Sequence, residues 1–291
     1  MNPSPPFLLV DGHHLAYRSF HALPASLCAP DGTPTGALLG FARGVRSLRQ
    51  QWRPDRMAVV FDGGLPAARL AALPEYKAHR PPMPDGLRRQ LDLIREYLEL
   101  CGVPWLQVQG EESDDVIATL AAAAERDGAE VGIASGDKDL LQLVGGRVFV
   151  IRADAPAVRV DAAAVERLLG VPPAQVTDLL ALTGDASDNI PGVLGVGPVT
   201  ARRLLAAAGG LPALWERLPA IAPARLRDRL AAARAMVERN ATMVRLRRDV
   251  PGLPAWTTLE CRQPDPTPLR AFLERLGLRS LMLAASQPEL F

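Results

Sequence analysis

Cysteine is scarce in this 291-residue chain, and the three present, Cys28, Cys101 and Cys261, lie far apart. That number and spacing build neither a disulfide framework nor a zinc site, and a reducing, cytoplasmic setting is expected. Long apolar runs are missing: none approaches the ~18 residues of a membrane span. The amino end, Met1 to Val10, has no basic flank and only one short apolar run, Phe7 to Val10, so it does not read as a secretory signal. An excess of either charge is also absent, since the formal net charge is +1. With 48% hydrophobic residues, the chain lacks the low hydrophobicity and high net charge that mark disorder. Lysine is almost missing, because only Lys77 and Lys138 interrupt a set of 33 basic residues that is otherwise arginine. Such a bias accompanies a GC-rich genome, so arginine abundance alone says little about nucleic acid. No internal repeat is found.

The near-zero net charge hides an asymmetry. From Glu111 to Asp139 nine acids face only Arg126 and Lys138, whereas from Val196 to Asp249 eleven arginines face four acids. A metal-binding pocket beside a polyanion-binding surface produces this split. So do two ordinary domains with unmatched solvated faces, and charge alone does not choose between them.

The organisation changes part-way along. Up to about residue 160, short β-rich runs alternate with amphipathic helical patterns. The runs are Phe7–Val10, Met57–Phe61, Trp105–Val108, Val131–Ala134 and Val148–Ile151; the helical patterns include Gly36–Trp52, Asp85–Cys101 and Asp114–Arg126. This alternation predicts an α/β core with a parallel sheet covered on both faces. Residues 63–84, rich in proline and carrying Arg69, Lys77 and Arg80, read as a mobile excursion from that sheet. Residues 161–283 read as helices only, and 284–291 as a flexible tail.

Ligands of parallel sheets gather at the carboxyl ends of the strands, and acids follow four of the five runs. Asp11, Asp62, Glu112, Asp114, Asp115, Asp137, Asp139, Asp185 and Asp188 form the set. Singly, each is explained as a turn or helix-start residue. Jointly they converge on one sheet edge with no matching bases close in sequence. Carboxylates in that position repel one another unless a divalent cation neutralises them. Hard oxygen ligands favour Mg²⁺ or Mn²⁺ over zinc.

The segments carrying these acids resemble those of the 5′-nuclease family, which includes flap endonucleases and the 5′–3′ exonuclease domain of bacterial DNA polymerase I. They are Val10-Asp11-Gly12-His13-His14 with Tyr17-Arg18, Val60-Phe61-Asp62, Tyr76-Lys77, Glu112-Ser113-Asp114-Asp115-Val116, Gly136-Asp137-Lys138-Asp139-Leu140 and Gly184-Asp185 through Gly192. The resemblance spans Phe7 to Leu283 and implies a PIN-like nuclease core followed by a helix–hairpin–helix DNA-binding element. It implies that Asp11, Asp62, Glu112 and Asp114 hold one Mg²⁺ and Asp137, Asp139 and Asp188 a second, with Mn²⁺ able to substitute. Asp115 and Asp185 would be outer or shared ligands. Two such ions ~3.5–4 Å apart serve phosphodiester hydrolysis. His13 and His14 are not expected as ligands. Lys77, Arg80 and Arg18 match the family's catalytic cations, and Tyr76 would stack on an unpaired base.

Gly192 to Pro198 resembles the family's hairpin that grips duplex DNA by its backbone. Gly195, Gly197, Thr200, Arg202 and Arg203 are the expected phosphate contacts, and the carbonyls of Val193 and Val196 a K⁺ site. As a dinucleotide fingerprint the same stretch fails, because no strand precedes it and the third glycine is absent. The expected function is a structure-specific 5′ nuclease of replication and repair, a monomer acting on 5′ flaps, nicks and free 5′ ends. A PIN-type ribonuclease, or a DNA-binding relative without metals, is the alternative. A haloacid dehalogenase-type phosphatase needs an aspartate two residues after Asp11, where His13 stands. Finally, Gln287, Leu290 and Phe291 resemble the peptide by which bacterial replication proteins dock on the sliding clamp, which suits a free-standing enzyme.

Overall fold

The computed structural model describes residues 5–152 and 158–285. Its elements, in chain order, begin with β1 (Phe7–Asp11), α1 (Gly12–Ala22), α2 (Gly36–Trp52), β2 (Met57–Phe61), α3 (Ala67–Ala72) and α4 (Asp85–Leu100). Next come β3 (Trp105–Gln107), α5 (Ser113–Arg126), β4 (Val131–Ala134), β5 (Val148–Arg152) and β6 (Val158–Val160). The remainder is helical: α6 (Ala162–Leu169), α7 (Val176–Thr183), α8 (Pro198–Ala208), α9 (Leu211–Glu216), α10 (Ala224–Val244), α11 (Pro266–Arg275) and α12 (Arg279–Ala285).

The strands read as continuous apolar runs because both faces of the sheet are covered. Phe7 and Leu9 of β1 join Ala58 and Val60 of β2 in one core, while Leu8 and Val10 join Met57, Val59 and Phe61 in the other. The sheet order is β3-β2-β1-β4-β5-β6. All neighbours are parallel except β6, which runs antiparallel to β5. β6 is an addition to the five expected runs; at three residues, with Val158 and Arg159 exposed, it carries little apolar signal. Strand order reverses between β1 and β4, and that junction is where an α/β sheet opens a crevice at its carboxyl edge.

Two features revise the expected division at residue 160. The first core is continuous from the sheet into Val176, Leu180, Leu205, Leu214, Leu230 and Val237, so α7–α10 share a core with one sheet face. The second core instead takes Leu269, Phe272, Leu273 and Leu281, so α11 and α12 cover the opposite face beside α2 and α4. Residues 161–283 are therefore not one helical unit. The 63–84 segment is also more integrated than an excursion, since Arg69, Leu73 and Tyr76 are buried and α3 packs on α10. Among the described residues no helix is long and apolar enough to cross a membrane.

Candidate metal centre and nucleic-acid interface

Each acid at the carboxyl edge is aimed by its own backbone. Asp11 ends β1 and caps α1, its Oδ1 accepting from His14 N at 3.0 Å while its Oδ2 accepts from Ser135 Oγ at 2.9 Å. Asp62, just past β2, accepts at Oδ1 from both Ser113 N and Ser113 Oγ at 2.8 Å, which caps α5 from another segment. Asp137 accepts from Asp139 N at 2.9 Å and donates its own N–H to Ser135 Oγ at 3.0 Å. Ser135 thus orients two acids across the β1–β4 crevice. Asp185 and Asp188 lie on a loop whose ends, Gly184 and Gly192, touch backbone to backbone. A Cβ on Gly184 (φ +72°) would lie 2.3 Å from Gly192 N, and one on Gly192 2.1 Å from Thr183 O. Only glycine closes that loop.

The tightest grouping is Asp139, Asp185 and Asp188, whose carboxylate oxygens lie within 4.8 Å of one another, all three residues buried. Asp139 Oδ1 is buried and makes no hydrogen bond, with Lys138 Nζ 3.5 Å away. Three convergent buried acids, one with a carboxylate oxygen that makes no hydrogen bond, are a hard-oxygen donor set that fits a divalent cation. Burial, with Asp62 and Asp137 adding repulsion, pushes the Asp11 carboxyl up to about 7 despite two donated hydrogen bonds. Asp139 is likewise raised to about 7 by burial and by Asp137, against the opposing charge of Lys138. Half-buried Asp114 is raised well above the carboxylate range by burial and by Asp137, Asp11, Asp62 and Asp139. Asp185 goes the other way: burial opposes, but donors from Lys138 Nζ at 2.6 Å and from Ser187 hold it below its usual value.

Cations interleave with these acids, so the bases missing nearby in sequence arrive from elsewhere in space. Lys77 Nζ pairs with Glu112 and lies 3.6 Å from Asp188 Oδ2; Arg80 donates to Asp188 Oδ1 and to the Ser187 carbonyl. The chain enters the left-handed region at Lys77 (φ 55°), with its N–H donating to Asp188 O at 3.0 Å. Asn189, also left-handed (φ 59°), donates from Nδ2 to Glu75 O at 2.8 Å. Two non-glycine residues in this conformation, tied to each other's loops, mark a held local geometry. Arg18 sits exposed on α1, where its charge opposes protonation of His14.

Three expected placements change. Tyr76 is buried, with its hydroxyl bridging Glu112 and Asp188 at 3.1–3.2 Å, so its ring is core and not a platform for a base. Asp115 is fully buried and held by Arg69 Nη1 and Nη2 at 2.7 and 2.9 Å and by Arg247 N at 2.9 Å. Its carboxylate is saturated by a structural ion pair, which separates it from the acids open to a metal. Asp185 sits with Asp139 and Asp188, and Asp137 adds its charge to both sides, raising Asp139 as well as Asp11 and Asp114. His13 Nδ1 accepts from Asp62 N at 2.9 Å, and burial lowers its pKa, so its 3.4 Å approach to Asp62 Oδ2 is no ion pair. Ser135 and Ser113 carried no sequence signal beyond standing in or beside the acidic segments, and Arg69 none beyond its charge in the proline-rich 63–84 segment.

Between α7 and α8 the chain forms the expected hairpin. Val193 and Val196 are buried and Val196 N donates to Val193 O, while Leu194 and Val199 stand 79% and 67% exposed at its tip. Gly195 is left-handed (φ 78°) and Gly197 leads into Pro198 at the first turn of α8. Buried Asn240 of α10 ties the loop down, donating from Nδ2 to Pro191 O at 2.7 Å and Ala181 O at 3.2 Å. Arg203 is exposed and Thr200 half-buried, whereas the Arg202 stem is laid across Gly170.

Residues 6–170 match the family described as "5′-3′ exonuclease, N-terminal resolvase-like domain", and residues 171–267 match its "C-terminal SAM fold". The chain belongs to the 5′–3′ exonuclease family. A 5′-3′ exonuclease of Aquifex aeolicus is 37% identical, covering 94% of this chain and 93% of that protein. The thermostable DNA polymerase I of Thermus filiformis is 43% identical across 94% of this chain, which spans 32% of the polymerase's length. Among solved structures, T5 5′-exonuclease with bound zinc superposes at a TM-score of 0.69, with 23% identity over 82% of this chain and 88% of that one. A bacteriophage T5 flap endonuclease in a complex with DNA and metal ions superposes at 0.68, with 20% identity over 97% and 98%. These two likenesses establish the shared fold. The helical match stops at residue 267, where α11 begins to cover the opposite face of the sheet.

Proposed function

We propose that the chain is a divalent-metal-dependent, structure-specific 5′ nuclease that hydrolyses DNA phosphodiesters at free 5′ ends, nicks and flap junctions. The observation that carries this reading is the buried trio Asp139, Asp185 and Asp188 set beside Lys77 and Arg80. Family membership supports it, as does the T5 flap endonuclease of like fold captured with DNA and metal ions.

In this reading Asp11, Asp62, Glu112 and Asp114 hold one ion, and Asp137, Asp139, Asp185 and Asp188 the other, with Mg²⁺ as the working metal and Mn²⁺ able to replace it. The ions supply activation of the attacking water and neutralisation of the leaving oxygen. Lys77, Arg80 and Arg18 receive the scissile phosphate, exchanging carboxylate partners for phosphate oxygens as charge builds there. Gly195, Gly197, Thr200 and Arg203 hold the duplex by its backbone, with Arg202 in a supporting place, so the enzyme recognises structure and not sequence. A K⁺ ion on the Val193 and Val196 carbonyls would stiffen that hairpin. Docking on a sliding clamp through Gln287, Leu290 and Phe291 rests on sequence alone, because these residues lie outside those described. The protein acts as a monomer in the cytoplasm in this account.

A substrate panel tests the proposal. Full-length protein is incubated with a 5′-flap duplex, a nicked duplex, a blunt duplex and single-stranded RNA, each with Mg²⁺ and with chelator. Cleavage of flap and nick near the junction, only with Mg²⁺, is expected. Preference for the RNA would replace the proposal with a ribonuclease, and binding of DNA without any cleavage would make the chain a non-catalytic relative.

A further inference from the structure

Arg69 is the most heavily committed cation among the described residues, and its function goes beyond neutralising acids. It is buried on α3, and its guanidinium spends every edge. Nη1 meets Asp115 and Glu112, Nη2 meets Asp115, and Nε donates to Met243 O at 2.9 Å, with Nη2 3.4 Å from Arg245 O. Met243 and Arg245 are at the carboxyl end of α10, where helix carbonyls have no partner within the helix. Arg69 supplies those partners from another segment.

The other end of α10 is tied to the hairpin. Arg229 Nη1 approaches Leu194 O at 3.5 Å, and a Cβ on Gly195 would lie 2.4 Å from the same nitrogen. From Arg229 to Arg245 the helix spans about 24 Å. α10 therefore braces the hairpin at two points, Arg229 at Leu194 and Asn240 at Pro191, and Arg69 is the peg that fixes the carboxyl end of this brace to Glu112.

We propose that Arg69 is a positioning residue that sets the register between the duplex grip and the metal centre, and so fixes which phosphodiester is cut. This rests on the nuclease reading above. A fork of donors in fixed geometry is required, since one ammonium cannot span two carboxylates and two carbonyls in different directions.

The test compares wild type, Arg69→Lys and Arg69→Ala in single-turnover cleavage of a 5′-labelled flap substrate, read at nucleotide resolution. DNA affinity and melting temperature are measured on the same preparations. Both variants should still bind DNA, cut about 10²-fold more slowly, and spread the cut over neighbouring phosphodiesters. Added guanidinium ion should sharpen and speed cleavage by Arg69→Ala. Wild-type product distribution in both variants would overturn the proposal, and so would parallel loss of folding and DNA binding without guanidinium rescue. If wild type itself fails to cut, the nuclease reading falls before Arg69 is tested.

Discussion

At the scale of the residue, the site is a set of acids whose partners differ in kind. Asp115 is spent on Arg69, Asp62 caps α5 with Oδ1 and leaves Oδ2 outside the cap, and Asp139 Oδ1 makes no hydrogen bond, with Lys138 Nζ 3.5 Å away. In the proposed function the acids that hold metal and the cations that hold phosphate are therefore separable by mutation. Asp188→Ala should abolish cleavage and leave DNA affinity unchanged or slightly tighter, because it removes repulsion with the phosphates. A gel-shift titration beside a cleavage assay checks this, and parallel loss of both would contradict it. Lys77→Ala should slow single-turnover cleavage by about 10²-fold, the scale of losing one donor to developing charge, with affinity little changed. A wild-type single-turnover rate would reduce Lys77 to a structural ion pair.

The raised carboxyls also make a thermodynamic prediction. Asp11 and Asp139 titrate near 7 when folded, against about 3.9 when unfolded. Below the unfolded value both states hold the proton and nothing is lost. As pH rises from about 4 to about 7 the unfolded chain ionises first, so stability of the metal-free protein falls, and the loss is complete above that window. A divalent cation relieves the repulsion. The gain in melting temperature on adding Mg²⁺ should therefore be larger at about pH 8 than at about pH 5. A gain independent of pH would show that these acids do not bind the metal.

Among the elements, most of the sheet and the long helices were legible in the sequence, because buried parallel strands and amphipathic helices leave strong patterns. α2 falls where its pattern puts it, at Gly36–Trp52, and α4 and α5 within one residue of theirs, at Asp85–Leu100 and Ser113–Arg126. What was not legible is long-range pairing. Nothing in Ala67–Ala72 announces that Arg69 reaches Asp115 and the end of α10, and nothing in Tyr76 separates a buried hydroxyl from an exposed stacking ring. Scarcity carried a signal after all: both lysines of an arginine-rich chain, Lys77 and Lys138, donate to the site carboxylates. The hairpin gives the prediction at this scale. Since Arg203 is exposed on α8, Arg203→Ala should weaken binding evenly across DNA sequences and reduce the slope of log affinity against log salt by about 1. Fluorescence anisotropy at several salt concentrations measures it, and an unchanged slope would remove Arg203 from the interface.

Across the whole molecule, one core joins the sheet to α7–α10, so the hairpin and the carboxylate edge belong to a single packed body. The 63–84 segment closes over that edge through Lys77, Arg80 and the Glu75–Asn189 contact. Metal-dependent cleavage of 5′-branched DNA at this edge is measured directly by the single-turnover rate on a 5′-flap duplex, with enzyme in excess, across a Mg²⁺ titration begun from chelated protein. No cleavage is expected without the ion, and the rate should rise with more than first-order dependence on Mg²⁺ before reaching a plateau. Cleavage that persists in chelator, or none at saturating Mg²⁺ by folded protein bound to the flap, would contradict it.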